Sequence, residues 1–349
     1  MLEIDRNSWS TSPRTVLITG VAGYIGSHTA LAFLDAGWQV VGIDNLSVGK
    51  QRAVPQGLDF IQIDCTDPAL PLIMRQMNID AAVHFAGLIR VDESVQKPVE
   101  YYQANLCNAG AFFKSALAMG IKAVVFSSTA AVYGDTGSAP VVENTPTLPV
   151  SPYGRSKLAA EWVLRDLCAA SDLRHVIFRY FNVAGADPCG RAGPRKDASH
   201  LIKAVSEAAV GRRPGLVING EDYDTPDGTC VRDYIHVSDL ADAHVAAVTH
   251  LLHGGQSMTL NCGYGRGFSV RDVIDRALPL ADRPFDVAVG PRRPGDSPSV
   301  VADVQALWKA LRWTPRFDDL GLILKTAIDW DRATLLSEPE AAETAGQQA

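Results

Sequence analysis

The chain has 349 residues, of which 47% are hydrophobic and 20% charged, with a net charge of −7. That composition suits a globular chain of one large domain or two smaller ones, and its acidity excludes a basic nucleic-acid footprint. No stretch approaches the ~18 consecutive apolar residues of a membrane span, the opening residues carry Glu3 and Asp5 without an apolar leader core, and the six cysteines form no C-x-x-C pair, which predicts reduced thiols in a cytoplasmic protein.

Residues 1–13 read as a polar tail, followed by a buried-strand pattern at Thr15–Thr19. Gly20, Gly23 and Gly26 come next and open a helix over Tyr24–Ala36. Glycines at that spacing allow a tight turn and a close approach of backbone to a diphosphate at the helix N-terminus. A second strand, Trp38–Ile43, ends at Asp44, 18 residues beyond Gly26. A carboxylate there accepts hydrogen bonds from adenosine ribose hydroxyls and repels a 2′-phosphate, which points to NAD rather than NADP. Leu58–Ile63, Ala81–Phe85 and Ala123–Ser127 repeat the strand signal, with helices predicted at about 67–77 and 97–119. Alternating strands and helices imply a doubly wound parallel sheet of Rossmann type.

Ser127-Ser128-Thr129 closes one of these strands, and Ser151-Pro152 starts another helix with an N-cap and a first-turn proline. Tyr153 and Lys157 stand four residues apart on one face of that helix. A free phenol has a pKa of ~10, and a neighbouring ammonium together with a positively charged nicotinamide favours the phenolate, as a general base requires. Thr129 is positioned to share a hydrogen bond with the reacting hydroxyl. His175–Tyr180 is the next strand, and after Asn182 the texture changes. Polar, turn-rich stretches at 187–197, 221–228 and 291–298 suggest a smaller, irregular α/β substrate domain at the C-terminal end. Arg232, Arg293 and Asp296 lie there, two guanidiniums suited to a diphosphate and one carboxylate suited to a ribose. His236 reads as a residue that satisfies a backbone partner, and the histidines show no metal-ligand spacing, so no metal is expected. The chain after about Ser337 reads as a second polar tail, 337–349.

The strings ITGVAGYIGSH, HFAGL, ESVQKPVEYY, FSSTAAVYG, SPYGRSK, RYFNVAGA, DGTCVRDYIHVSDLADAH and PRRPGD stand in one order over about residues 14–335. In that order the chain resembles the UDP-glucose (UDP-galactose) 4-epimerases of the extended short-chain dehydrogenase/reductase superfamily. The resemblance implies an NAD domain over 14–182, with about 232–262 returning to it, a substrate domain over 183–231 and 263–335, and a homodimer. It implies NAD contacts at Tyr24, Ile25, Asp44, Asn45, Asp64, Cys65, Phe85, Ala86, Gly87, Asn105 and Phe181, and a catalytic set of Thr129, Tyr153 and Lys157. UDP contacts are implied at Asn182, His200, Leu201, Arg232, Arg293 and Asp296. The reaction it implies is oxidation at sugar C4 through a 4-keto intermediate, with Tyr153 as the base, and a role in galactose metabolism.

Four departures from the family pattern stand out. Val21 replaces a common glycine and is expected to be tolerated with negative φ. Ile89 replaces a lysine that helps hold the cofactor, with Arg90 next door as a substitute. Asn219 stands where an aromatic often stacks on uracil. Val300 replaces a bulky tyrosine at the sugar pocket, which predicts room for an N-acetyl group at C2. A 4,6-dehydratase would need acidic residues after Thr129, where Ala130 and Ala131 stand. A UDP-pentose or UDP-uronate 4-epimerase shares every catalytic residue, and a catalytically idle NAD-binding regulator shares the fold.

Overall fold

The structure, a computed structural model, describes residues 14–336 apart from 197, 199 and 294; the polar tails expected at 1–13 and 337–349 lie outside the described residues. In chain order the first half runs β1 (Thr15–Thr19), α1 (Tyr24–Asp35), β2 (Gln39–Asp44), β3 (Asp59–Gln62), α2 (Leu70–Met74), β4 (Ala81–His84), α3 (Val91–Gln96), α4 (Pro98–Tyr102), α5 (Asn108–Ala118), β5 (Ala123–Thr129), α6 (Pro152–Ala169) and β6 (Arg174–Tyr180). The second half runs β7 (Asn182–Ala184), α7 (Leu201–Ala209), β8 (Gly215–Asn219), β9 (Val231–His236), α8 (Val237–Leu252), β10 (Met258–Cys262), β11 (Gly267–Ser269), α9 (Val270–Ala277), β12 (Asp286–Gly290), β13 (Ser299–Val300), α10 (Gln305–Leu311) and α11 (Leu320–Leu336).

Seven parallel strands form the main sheet in the order β10-β6-β5-β4-β1-β2-β3. Every residue of β1, TVLIT, is buried, the pattern of a central strand covered by helices on both faces. The chain winds outward from β1 in both directions, so the order reverses between β1 and β4. Ligands bind at the carboxyl ends of strands beside such a reversal. A smaller sheet joins β11, β9 and β13, with β7 pairing β9, and β8 pairs β12 separately. Helix α8 packs on α1, while α7, α9 and α11 pack together around the buried Lys203–Asp331 ion pair.

Two predicted helices differ in detail. The helix expected at 67–77 is the short α2, extended by a 3-10 turn and stopped by Asn78 in the left-handed region at φ 47°. The one expected at 97–119 is α4 and α5 joined by a π turn, Gln103–Cys107. A π turn inserts one extra residue into the helix, a device frequent at functional sites; here the turn contains the buried Asn105.

Candidate active site

The nucleotide side begins where β1 ends. Gly20 has φ 70° and donates its N–H to the Ile43 carbonyl at 2.8 Å. A Cβ on Gly20 would lie 2.9 Å from the Ala86 nitrogen, and one on Gly26 would lie 2.2 Å from the Gly20 carbonyl oxygen. Both glycines are therefore required by space as well as by the turn. Val21 is not among the described residues with positive φ, so the valine is accommodated as expected. Helix α1 starts at Tyr24 with no side-chain cap and no acidic residue in its first turn. Those first-turn N–H groups and the glycine cradle fit a dinucleotide diphosphate.

Asp44 ends β2 and accepts from Ala22 N at 3.0 Å and Leu46 N at 2.8 Å, fixing Leu46 at φ 58°. Asn45 donates to Asp64 at 2.7 Å, and Asp64 also accepts from Thr66. Burial pulls the Asp64 carboxyl upward, and these hydrogen bonds more than reverse that, leaving it below its ordinary value. Cys65 is buried, and burial pushes its thiol up to about 12, so it stays protonated. At the end of β4, the Thr19 hydroxyl accepts from Phe85 N and Ala86 N, each at 3.2 Å. A Cβ on Gly87 would fall 2.6 Å from Asn105 Oδ1 and 3.7 Å from Lys157 Nζ, so these three residues crowd one spot. Asn105 uses its amide on the loop itself, accepting from Leu88 N at 2.8 Å and donating to Leu88 O at 2.9 Å.

Tyr153 and Lys157 stand in the first half of α6, which Ser151 caps by accepting from Gly154 N at 3.1 Å. Both side chains are buried. Lys157 Nζ donates to the Ser127 carbonyl at 2.8 Å and sits 5.0 Å from the Phe126 ring centre. Burial lowers its pKa to about 8, with Glu161 opposing. Thr129 ends β5, and its hydroxyl accepts from Ala131 N at 3.1 Å. Burial pushes the Tyr153 phenol above its ordinary value and the Thr129 hydroxyl pulls it back. The residue pattern alone predicts a lowered phenol; in the protein's own groups desolvation outweighs the local stabilisation of phenolate.

On the other side, Asn182 donates to the Asp233 carbonyl at 3.2 Å. Arg232 donates to the Val231 carbonyl at 2.9 Å and faces Asp296 at 3.7 Å. Asn219, with its amide oriented to suit its neighbours, accepts from Arg293 Nε and Nη2 at 3.2 Å each. Val300 packs in a cluster with Val132, Tyr133 and the buried Phe181. His200 caps α7 just before Leu201, and its ring stacks on Tyr24, with centroids 6.3 Å apart. The Tyr24 hydroxyl in turn donates to the Gly185 carbonyl at 2.6 Å. His200, at the start of α7 beside Leu201, thus packs against the first turn of α1. Ile89 is exposed, and Arg90 is paired outward with Asp92 at 3.0 Å, so Arg90 does not take over an inward lysine's place. His236 accepts from Ser238 N at 3.1 Å and meets Thr326 at 3.0 Å, the structural role expected of it.

Sequence reasoning missed the bridges that tie the two sides. Arg191 pairs with Asp35 through two 2.9 Å bonds while also holding Asp187, and Arg195 donates to the Val48 carbonyl at 2.5 Å. The only signal in the sequence was arginine in a loop rich in glycine and proline. Among the described residues no cluster of three or more His, Cys, Asp or Glu is arranged to hold a metal, all six cysteines are free thiols, and no helix is long and apolar enough to cross a membrane.

Residues 16–263 match the NAD dependent epimerase/dehydratase family. The chain is 50% identical over 97% of its length to a UDP-glucose 4-epimerase of Azospirillum brasilense, of which it covers 97%. Its fold is similar to the UDP-glucose 4-epimerase of Brucella ovis solved in complex with NAD, at TM-score 0.88 and 41% identity, covering 91% of this chain and 98% of that one. It is also similar to the UDP-Glc/GlcNAc 4-epimerase of Campylobacter jejuni, at TM-score 0.81 and 42% identity, covering 92% and 99%. A glycine turn at a sheet reversal, a Tyr–Lys pair facing a strand-end threonine and this breadth of likeness agree: the chain belongs to the NAD dependent epimerase/dehydratase family, among its UDP-glucose 4-epimerases.

Proposed function

We propose that the protein is an NAD-dependent isomerase that interconverts UDP-galactose and UDP-glucose. The observation that carries this reading is the set of buried Tyr153 and Lys157 with half-buried Thr129 at the carboxyl edge of the sheet, beside the Gly20–Gly26 cradle. Gly20, Gly23, Gly26 and the first turn of α1 would hold the diphosphate of NAD, Asp44 the adenosine ribose, and Phe85–Gly87 with Phe181 the nicotinamide end. When bound, NAD would supply reversible hydride exchange at sugar C4, by way of a 4-keto sugar, and a ring charge that favours a neighbouring phenolate.

Tyr153 takes the proton of the sugar 4-hydroxyl and later gives it back. Lys157 supplies the cation that makes a buried phenolate affordable, and Thr129 orients the reacting hydroxyl. Asn182, Leu201, Arg232 and Arg293 would hold the UDP, so that the sugar turns over while its nucleotide stays anchored. In this arrangement residues 14–182, with about 232–262, form the NAD unit, and 183–231 with 263–335 form the substrate unit.

The test is incubation of purified protein with UDP-galactose and no added NAD, with the nucleotide sugars resolved by chromatography. UDP-glucose is expected, and Tyr153→Phe is expected to lower kcat by about 10³-fold. No conversion even with NAD supplied would shift the assignment to a pentose or uronate substrate, or to an idle NAD-binding protein. Val300 supports a second substrate class, since a valine at that place leaves space at C2; UDP-GlcNAc left unconverted under conditions that convert UDP-glucose would refute it. On the same reading the enzyme is a cytoplasmic homodimer of galactose metabolism. Trp162 and Val163 on α6, with Val95 and Val99 on α3 and α4, expose apolar area suited to a second copy. A monomer by sedimentation at micromolar concentration would sink the dimer.

A further inference from the structure

Helix α6 carries a third inward residue beyond Tyr153 and Lys157. Glu161 follows at the same four-residue spacing and is fully buried. The three side chains address consecutive residues at the end of β5. Tyr153 meets the Thr129 hydroxyl, Lys157 Nζ holds the Ser127 carbonyl, and Glu161 accepts from the Ser128 hydroxyl at 2.5 Å. Glu161 also accepts from Arg179 Nε at 3.0 Å and Nη2 at 2.7 Å, and from Arg165 at 2.9 Å.

Arg179 sits directly across the sheet from Ser128, and Asn261 directly across from Arg179. Arg179 Nη1 donates to the Tyr133 hydroxyl at 2.9 Å and to the Glu143 carbonyl at 3.0 Å, while Tyr133 donates to Asn261 at 2.6 Å. Tyr133 lies four residues past Thr129, just after the 3-10 turn that Thr129 caps. The main chain on both sides of Thr129 is therefore tied to one buried ion pair.

We propose that Glu161, with Arg179, is the positioning element of this site: it sets the strand end that carries Thr129 and provides the counter-charge to Lys157. The inference rests on the epimerase reading and deepens it. Charges around the pair support it. Lys157 is faced by Glu161 on its own helix and by His84 of β4, which burial holds neutral at a pKa of about 3. Glu161 is faced by Arg165 on α6 and by Arg179 and His175 of β6, with Tyr133 and Glu143 behind Arg179. Tyr153 is faced by Thr129, by Tyr101 of α4 edge-on with ring centres 6.4 Å apart, and by Tyr180 of β6. Glu161 is thus the one carboxylate acting on Lys157 among the described residues.

Glu161→Gln keeps an acceptor for Ser128 and Arg179 and removes the charge. In full-length protein carrying its bound nucleotide, the Lys157 titration, followed by NMR on lysine-labelled protein and assigned with Lys157→Arg, is expected to move down by about one pH unit. The alkaline limb of the kcat profile for UDP-galactose moves with it, and KM stays within about twofold because Glu161 touches no substrate. A Lys157 midpoint equal to wild type overturns the proposal whether or not sugar is converted. A shifted midpoint alongside wild-type protein that converts no sugar overturns the epimerase reading alone. Should Glu161→Gln fail to fold, Ser128→Ala leaves the ion pair intact and removes only the link to the strand. It is expected to lower kcat about tenfold at unchanged KM, through displacement of Thr129, and an unchanged kcat overturns the positioning role.

Discussion

The proposed nucleotide side of the site is made largely of main chain tied down by buried side chains; the proposed sugar-diphosphate side relies on charged side chains that water reaches. Gly20, Gly26 and Gly87 leave no room for a Cβ, and Asn105 and Thr19 tie the loop ends down. Across from them Arg293 is exposed, and the Arg232–Asp296 contact is only 3.7 Å, in side chains that water still reaches. The first side is preorganised, so its cost of ordering is met on folding. The second must order its side chains when substrate arrives. That division suits a cofactor that stays and a substrate that leaves each turnover. It also makes the two sides separable by mutation.

The largest expected effect is on the preorganised side. Gly26→Ala puts a Cβ 2.2 Å from the Gly20 carbonyl oxygen, and neither backbone can yield without opening the turn. Overpacking of this kind costs about 1–3 kcal/mol, or a fall in Tm of roughly 5 °C. The variant is expected to purify without nucleotide, seen in its absorbance ratio, and to show little activity even with NAD added. A Gly26→Ala protein that retains NAD and full stability would show that the turn is not fixed by space.

Arg232→Ala is expected to act on the other side alone. A hydrogen bond to a charged group contributes about 1.5–3 kcal/mol, so KM for UDP-galactose should rise roughly 10- to 100-fold. Removing binding that is uniform between ground and transition states leaves kcat nearly unchanged. NAD content and Tm should match wild type. Loss of bound NAD in this variant would break the comparison, because it would couple the two sides through β9.

These two halves were unequally legible in the sequence. The strand TVLIT, the glycine spacing and Asp44 announce the nucleotide side because its function is local: a turn, a helix start and a strand end within 30 residues. Ser151-Pro152 likewise fixed the start of α6 and hence the phase of Tyr153 and Lys157. The π turn at Gln103–Cys107 was not legible, since no local propensity marks an extra residue in a helix; it follows from tertiary demand for Asn105 at Leu88. Nor was the phenol's raised pKa, which depends on burial that only the packed structure sets. On the substrate side, Arg232 and Asp296 are 64 positions apart in sequence (296 − 232), and only the pairing of β9 with β13 brings their neighbourhoods together.

The smallest expected effect sharpens the same contrast at Asn219. Its side-chain oxygen accepts from Arg293. Asn219→Phe therefore changes two things at once. It supplies a face on which a base can stack, worth roughly 1–3 kcal/mol in nucleic-acid complexes. It also releases the Arg293 fork from a neutral acceptor, leaving it free for a diphosphate. Both changes act in the same direction, so calorimetry with UDP should show Kd tighter by about 3- to 10-fold, with NAD content unchanged. Weaker UDP binding would mean that the Asn219–Arg293 pair is itself preorganised for the nucleotide. The exposed side of the site would then be less adaptable than its exposure suggests, and the distinction between a prebuilt half and an assembling half would lie closer to the sugar than to the uracil.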